Sequence, residues 1–508
     1  MRFRYPMLDL KPFAACLLSF AALAASAQVA EPSVAKAGRY TSIEASFVGL
    51  AFINPAAKFL KQRESFTQLS LNYDLAYSDS PRIMQLGKGG NKFGFDAETF
   101  TVLDEKSAVW GKAYYKNGSN KDVVWNETSD FLLLYPYVMG DERGGKLDYE
   151  EYFLDGGYTA RHGRFVYGGS LSYRARSEYR TRDPRPKNVV ADLMARIGFG
   201  MRFGKNIVSV AANAGKYKQT NELSFFNELG ASKEYHLTGL GTDFARFSGA
   251  NNNVFYKGTN FGGSLEFLPD SRKGISASVK YNHFFFEKIL SDLNRLPLNK
   301  LHENAVDAEV AFTAKSYGLK LNAGYKARRG NNNMFGDAAG NIYPQIGSLR
   351  MFESDIMSAK LSGYYSHGFS SNVALSVMPF AGISSVSMQH ELSGNNVDIN
   401  RFTGGADITL SYIKKRSLIQ LKAGAEFAKG LSESSTLSQS EMASPELYSN
   451  LNRTLDYLNG NALDTHVGLR YDYALRNLTL FAEARWLYGK YLTTEKENRY
   501  EFKIGVTL

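Results

Sequence analysis

From about residue 67 onward the chain alternates apolar and polar side chains with a period of two, the pattern of strands that have one apolar and one wet face. The last run is the clearest. In RYEFKIGVTL, Tyr500, Phe502, Ile504, Val506 and Leu508 share one face, and Glu501, Lys503, Gly505 and Thr507 share the other. The run before it groups Leu478, Leu480, Ala482, Ala484, Trp486 and Tyr488. Earlier, Phe165, Tyr167, Leu171 and Tyr173 oppose Ser170, Ser172, Arg174, Arg176, Arg180 and Arg182. One face suits hydrocarbon, the other water and charge.

The connections alternate in length. Short turns at Asp104-Glu105, His162-Gly163, Gly204-Lys205, Ser316-Tyr317, Ser370-Ser371, Lys414-Lys415 and Arg476-Asn477, with a longer one at Pro269–Gly274, separate long polar segments. The long segments lie near 79–90, 117–147, 179–188, 219–251, 290–301, 331–354, 385–402, 429–462 and 489–496. Short periplasmic turns and long external loops characterise bacterial outer-membrane barrels. The pattern predicts an all-β transmembrane antiparallel β-barrel over 67–508 of about 18 strands, with about 14 or 16 as alternatives, each of roughly 9–14 residues. A soluble sandwich would alternate too, but without this short/long rhythm.

The first residues have a different character. Arg2 and Arg4 precede the apolar run PFAACLLSFAALAASA, ending in Ala25-Ser26-Ala27, which predicts a signal peptide over 1–27. The single cysteine, Cys16, lies inside that run, so the expected mature chain has no disulfide and no thiolate metal site. After it no apolar run reaches the roughly 18 residues of a spanning helix. Residues 28–66 contain SFVGLAFINPAAKFL, where Asn54-Pro55 breaks any regular element. They read equally well as a periplasmic lead-in or as a segment inserted in the lumen. The net charge of +10 is spread along the chain with no polybasic tail, which points to a solvated charged face and away from nucleic acid.

Charge also matches across the inner face. A hairpin turning at His162-Gly163 sets Arg174 opposite Glu151, and one turning at Arg476-Asn477 sets Arg470 opposite Glu483. If the first hairpin centres on Asp104, Asp96 faces Lys112. A lumen held by ion pairs follows, with Arg180, Arg182, Arg185 and Lys187 left near the mouth to attract an anionic solute or lipopolysaccharide phosphates. The loops WNETSDFLLLYPYV and NELSFFNELG carry Trp125, Phe131, Tyr135, Tyr137, Phe225 and Phe226, either a self-packed lid or a contact surface for a partner. FEKILSDLNRL places Ile289, Leu293 and Leu296 at helical spacing.

Several stretches resemble an uncharacterised family of outer-membrane β-barrel proteins of Bacteroidota. They are GFDAETFTVL (94–103), VVWNETSDFLLLYPYV (123–138), LSYRARSEYRTRDPRPKNVVADL (171–193), GKYKQTNELSFFNELG (215–230), YHLTGLGTD (235–243) and FEKILSDLNRLPLN (286–299). The resemblance implies fold and an outer-membrane location in a Gram-negative bacterium, and carries no catalytic residues. The NPAA segment also resembles the N-terminus of long-chain fatty-acid transport barrels, which have fewer strands than counted here.

Seven histidines are scattered, with no H-E-x-x-H, no metal-ligand spacing and no G-x-S-x-G elbow. His236 with Glu234, or His367 with Ser366, are the only dyads to weigh, and an outer-rim hydrolase is the weakest reading. The expectation is a non-enzymatic barrel without metal or cofactor. It would give passive or gated passage to small polar or anionic solutes, or serve as the barrel partner of a nutrient-uptake assembly. Its partners would be outer-membrane lipid, lipopolysaccharide, and another outer-membrane transporter or lipoprotein. The alternative is a closed structural or adhesion barrel that binds through its external loops.

Overall fold

The computed structural model describes residues 34–508 apart from 62–63, 228–231, 250–252, 341, 477 and 492–494. The expected signal peptide lies outside the described residues. Alternation becomes wall. The first nine strands are β1 (Phe66–Ser78), β2 (Gly89–Val102), β3 (Ser107–Val123), β4 (Gly145–His162), β5 (Phe165–Tyr179), β6 (Arg185–Phe203), β7 (Asn206–Ser224), β8 (Val254–Pro269) and β9 (Gly274–Leu290). The second nine are β10 (Leu296–Thr313), β11 (Tyr317–Phe335), β12 (Gln345–Gly368), β13 (Val373–His390), β14 (Asn395–Lys414), β15 (Ser417–Thr436), β16 (Ala462–Ala474), β17 (Thr479–Tyr491) and β18 (Glu495–Thr507). Each pairs antiparallel with its neighbours in sequence, and β1 pairs with β18, as Leu69 with Val506, so the 18-stranded sheet closes without an edge.

The outer face is apolar. Leu171, Ile197, Val279, Leu361, Ile383 and Ile504 all stand exposed there, while their strand neighbours point into the barrel. Aromatic side chains ring the short-turn end, among them Phe165, Phe203, Tyr317, Tyr365 and Phe369, as a membrane interface favours. The fold is a transmembrane antiparallel β-barrel of 18 strands.

Most strands are longer than the expected crossing; lengths run from 13 residues in β1, within expectation, to 24 in β12. Backbone pairing continues past the lipid, because a closed sheet satisfies its polar groups in water and hydrocarbon alike. Residues 286–296 are therefore not helical. β9 runs to Leu290 and β10 starts at Leu296, joined by a tight turn with Asn294 and Arg295 at positive φ.

Two registers also differ from expectation. Gly163, at φ 60°, and Arg164 form the β4–β5 turn, so Glu151 lies opposite Arg176 and Arg174 opposite Phe153. The β2–β3 turn is centred later, where the Lys106 N–H bonds Asp104 Oδ1 at 2.7 Å, which puts Lys112 opposite Glu98 and Asp96 opposite Tyr114. Arg470 does face Glu483.

Among the described residues five α-helices accompany the wall: α1 (Val34–Tyr40), α2 (Ile43–Phe47), α3 (Lys58–Lys61), α4 (Phe131–Leu134) and α5 (Pro445–Asn459). The first three belong to an N-terminal segment at the short-turn end. The others, with a three-stranded sheet of Met139–Gly140, Tyr235–Gly239 and Thr242–Asp243, belong to the long loops.

Candidate functional site

The long loop after β3 turns inward. Trp125, Leu134, Tyr137 and Met139 are wholly buried and share one apolar core with Tyr217, Tyr256, Phe284 and Phe286 from the inner wall. Leu237, Phe247 and Leu447 join from other loops. This is a lid with its own hydrophobic core. Of the aromatic contact candidates, Trp125, Phe131, Tyr135 and Tyr137 are thus lid interior and unavailable to a partner. Phe225 is half-buried, and Phe226 alone is widely exposed, at 80%.

The lid's backbone polar groups need partners too, and inner-wall side chains supply them. Lys288 Nζ donates to the Val138 carbonyl at 3.0 Å and Tyr256 Oη to that of Tyr137 at 3.0 Å. Arg328 Nη1 donates to the carbonyls of Leu132 and Tyr135 at 2.8 and 3.1 Å, at the C-terminal end of α4. Asn188 and Asn221 each donate to the Glu127 carbonyl at 2.8 Å.

The arginines that dominate β5 complete the attachment. Arg174 donates to both oxygens of Asp130, the second bond at 2.9 Å with the first shorter, and lies 3.4 Å from Glu151. Asp130 adopts φ 54°, a left-handed conformation that aspartate tolerates, and so presents its carboxylate to Arg174 and to Tyr217 Oη at 2.9 Å. Burial works to raise the Asp130 carboxyl, but Arg174 and Tyr217 hold it below its ordinary value. Arg176 pairs with Glu178 and, at 3.3 Å, with Glu151. Ser129 in turn donates to Glu178 at 2.8 Å.

Arg180 is buried between Glu127 at 3.0 Å and Asp141 at 2.6 Å, with its Nε on the Pro184 carbonyl. Glu234 is buried in the same cluster. One guanidinium thus bonds two carboxyl groups of a cluster of three. Burial, then Glu234 and Asp141, push Glu127 well above the ordinary range, and burial pushes Glu234 up to about 7. Glu127 and Glu234, from two different loops, thus share one buried charge cluster.

The remaining mouth cations do not line the lumen. The chain turns over between β5 and β6, so Lys187 points outward and Arg182 lies exposed in the bend. Arg185 pairs with Asp183 at 2.6 Å and covers the ring of Phe226. Arg470 is buried against Asp472 at 2.8 Å and Glu483 at 3.4 Å, within the wall and away from the lid. His367 is exposed on the outer face beside Tyr365 and Phe369, opposite to Ser366, and His236 is buried in the loop sheet. Among the described residues no group of three His, Cys, Asp or Glu could hold a metal ion.

The opposite end holds residues 34–61, a stopper inside the barrel that occupies only part of it: a cavity of about 760 Å³ stays open beside the segment, lined by Arg39 and Glu44 of the stopper and by Arg272, Lys315 and Ser376 of the wall. Ala51, Ala56, Ala57 and Leu60 pack on Val166, Ile207 and Leu268 of the inner wall. Asn54 Oδ1 accepts from the Ala56 N–H at 2.9 Å while its Nδ2 donates to Glu266 at 2.5 Å. The N–H groups of Gly49 and Leu50 donate to Glu309 at 3.2 and 3.3 Å. The approach needs bare backbone on the wall: a Cβ on Gly198 would lie 2.0 Å from Asn54 Oδ1, and one on Gly168 2.7 Å from Pro55.

No curated protein matches the chain in sequence. Solved structures with similar architecture include BauA, the ferric preacinetobactin receptor of Acinetobacter baumannii, at 10% identity and a TM-score of 0.41, covering 88% of this chain and 80% of that one. A mutant of the ferric enterobactin receptor PfeA of Pseudomonas aeruginosa has 8% identity and a TM-score of 0.39, covering 88% and 81%. The monoaromatic hydrocarbon channel CymD has 12% identity and a TM-score of 0.32, covering 91% and 92%. Likeness at this level carries no functional information. Residues 55–508 match the family of unknown function DUF6850, and the chain belongs to that family.

Proposed function

We propose that this barrel is a gated outer-membrane passage for small polar solutes, with the loop lid as its gate. The observation that carries the reading is the unfilled polar lumen between lid and stopper. Cavities of about 370, 520 and 530 Å³ open there, lined by charged and amide side chains such as Arg196, Asn213, Asp307, Lys360 and Asp407. A barrel serving only as scaffold or adhesin would gain stability by filling that space. The lid's attachment through ion pairs supports reversible release, since such pairs are replaceable by water once exposed. Lipid around the apolar belt is the partner this reading supports, with lipopolysaccharide phosphates beside the outward Arg182 and Lys187. It assigns no catalysis.

The test is single-channel conductance of the refolded full chain in a planar bilayer, for the wild type and Arg180→Ala. Rare openings in the wild type and frequent ones in the variant are expected. An Arg180→Ala protein that shows the heat-modifiable gel migration of a folded barrel yet never conducts would overturn the reading.

A further inference from the structure

The cavity of about 530 Å³ directly above the stopper is unlike the rest of the lumen, because its charge is not balanced. Its lining carries Lys58, Lys61, Lys112, Arg174 and Arg196 against only Asp155 and Asp192. Arg174 is committed to Asp130 and Glu151. Among the described residues no carboxylate lies within ion-pair distance of Lys58, Lys112 or Arg196, whereas inner-face cations such as Arg176, Arg328 and Arg470 have such partners. Burial and the like charges of Lys61 and Arg196 lower the Lys58 ammonium below its ordinary value, although Asp155 and Glu98 oppose them. A cation cluster only partly offset by Asp155, Asp192 and the nearby Glu98, behind low-dielectric walls, attracts anions.

The same cavity is aromatic on one side. Trp110 lies with the Lys58 ammonium 5.6 Å from its ring, and Tyr114 stacks on Phe153 with centroids 4.9 Å apart. The wall makes room for that indole, since a Cβ on Gly157 would lie 2.2 Å from it. Lys58 and Lys61 come from the stopper, Lys112 and Trp110 from β3, and Arg196 from β6, so chain segments far apart in sequence build one chamber.

We infer that this chamber binds a small aromatic carboxylate or sulfonate, its ring against Trp110 and its charge among Lys58, Lys112 and Arg196. A ligand of this class matches both halves of the lining, which a bare anion or a neutral arene does not. The inference deepens the passage reading by naming a solute class, and binding is measured apart from conductance so that the two fail separately. Binding to a barrel that never conducts keeps the site and removes the passage; conduction without binding removes the site.

The experiment is calorimetric titration of the folded full chain, in non-ionic detergent, with naphthalene-1-sulfonate. Naphthalene-1-methanol and inorganic phosphate are the comparison probes. The chain has three tryptophans, so Trp125→Phe with Trp486→Phe leaves Trp110 as the sole emitter and reports on the chamber directly. Expected are one-site saturation by the sulfonate, a change in Trp110 emission with the same midpoint, and affinity reduced on the order of tenfold in Lys112→Gln or Arg196→Gln, the loss of one charge-assisted contact. Should those wall variants fail to fold, Lys58→Gln in the stopper tests the same cluster. No saturation, equal binding of the neutral alcohol or of phosphate, or undiminished affinity in the glutamine variants would overturn the inference.

Discussion

Lid and stopper both sit inside the barrel on apolar cores, yet differ in how much charge fastens them. Beside an apolar core shared with wall aromatics, the lid is fastened by charge: Arg174 holds Asp130, Arg180 holds Glu127 and Asp141, and Arg328 and Lys288 hold backbone carbonyls. The stopper sits on alanines, a proline and wall glycines, with amide and backbone donors to Glu266 and Glu309. Ion pairs weaken with salt and respond to pH, whereas close apolar contact carries no charge to screen or titrate. The lid is therefore built to respond to solution conditions and the stopper to stay.

The sharpest break of that comparison is Arg180→Ala. It leaves Asp141 buried with no counter-charge, an arrangement that costs about 3–5 kcal/mol when a buried pair loses one member. The lid should undock while the stopper remains. Trp125, wholly buried in the lid, is the reporter: its emission should shift to the red in Arg180→Ala, measured with Trp110 and Trp486 replaced by Phe. An unshifted spectrum would mean that the apolar core alone holds the lid. The converse change is Gly198→Val. Its side chain competes for the space of Asn54 Oδ1, and overpacking of this kind costs about 1–3 kcal/mol. Trypsin should then cut at Lys58 and Lys61, with Trp125 emission unchanged.

Much of this was legible in the sequence where local rules govern. Alternation located the wall, the short/long rhythm set the strand number, and Arg470 with Glu483 fell into register because the last hairpin is regular. The arginines of β5 pointed inward as strand parity requires. Their partners were not legible, because Glu127, Asp130 and Asp141 lie in a loop, and no periodicity says that a loop folds into a lumen. Parity also failed beyond Arg180, where a five-residue connection lets the next strand restart on the other face and sends Lys187 outward. The α5 helix was missed although Ser444 caps it, Pro445 starts it, and Leu447 and Leu455 share its buried face. The polar length of that loop hid the signal.

A pH series sharpens the comparison at a smaller scale. The Glu234 carboxyl, ordinarily near 4.5, is raised to about 7 by burial. Its protonated form is thus favoured by the docked lid. The stabilisation is complete below the unfolded value and is lost as pH rises through about 7. Glu127, Asp141 and Arg180 face it from the adjoining loops, and Ser232 donates to it at 3.1 Å. Open probability in the bilayer should rise between acidic and alkaline buffer by more than about tenfold, since the shift exceeds one pKa unit. Glu234→Gln should flatten that rise. A slope surviving in the variant would assign the pH response elsewhere.

The smallest effect tests whether ionic attachment makes any element labile or only those on loops. Arg470 and Glu483 pair across two wall strands 3.4 Å apart, and Arg470 keeps Asp472 at 2.8 Å whatever happens to Glu483. The backbone ladder on both sides holds the strands in register regardless of this pair. Glu483→Gln should therefore lower stability by only about 0.2–1 kcal/mol, as for an ordinary cross-strand pair, read as a small shift in the temperature of heat-modifiable migration. Open probability should stay at the wild-type value. If instead the variant gates like Arg180→Ala, wall charge and lid are coupled, and responsiveness belongs to the whole lumen and not to the loop that fills its mouth.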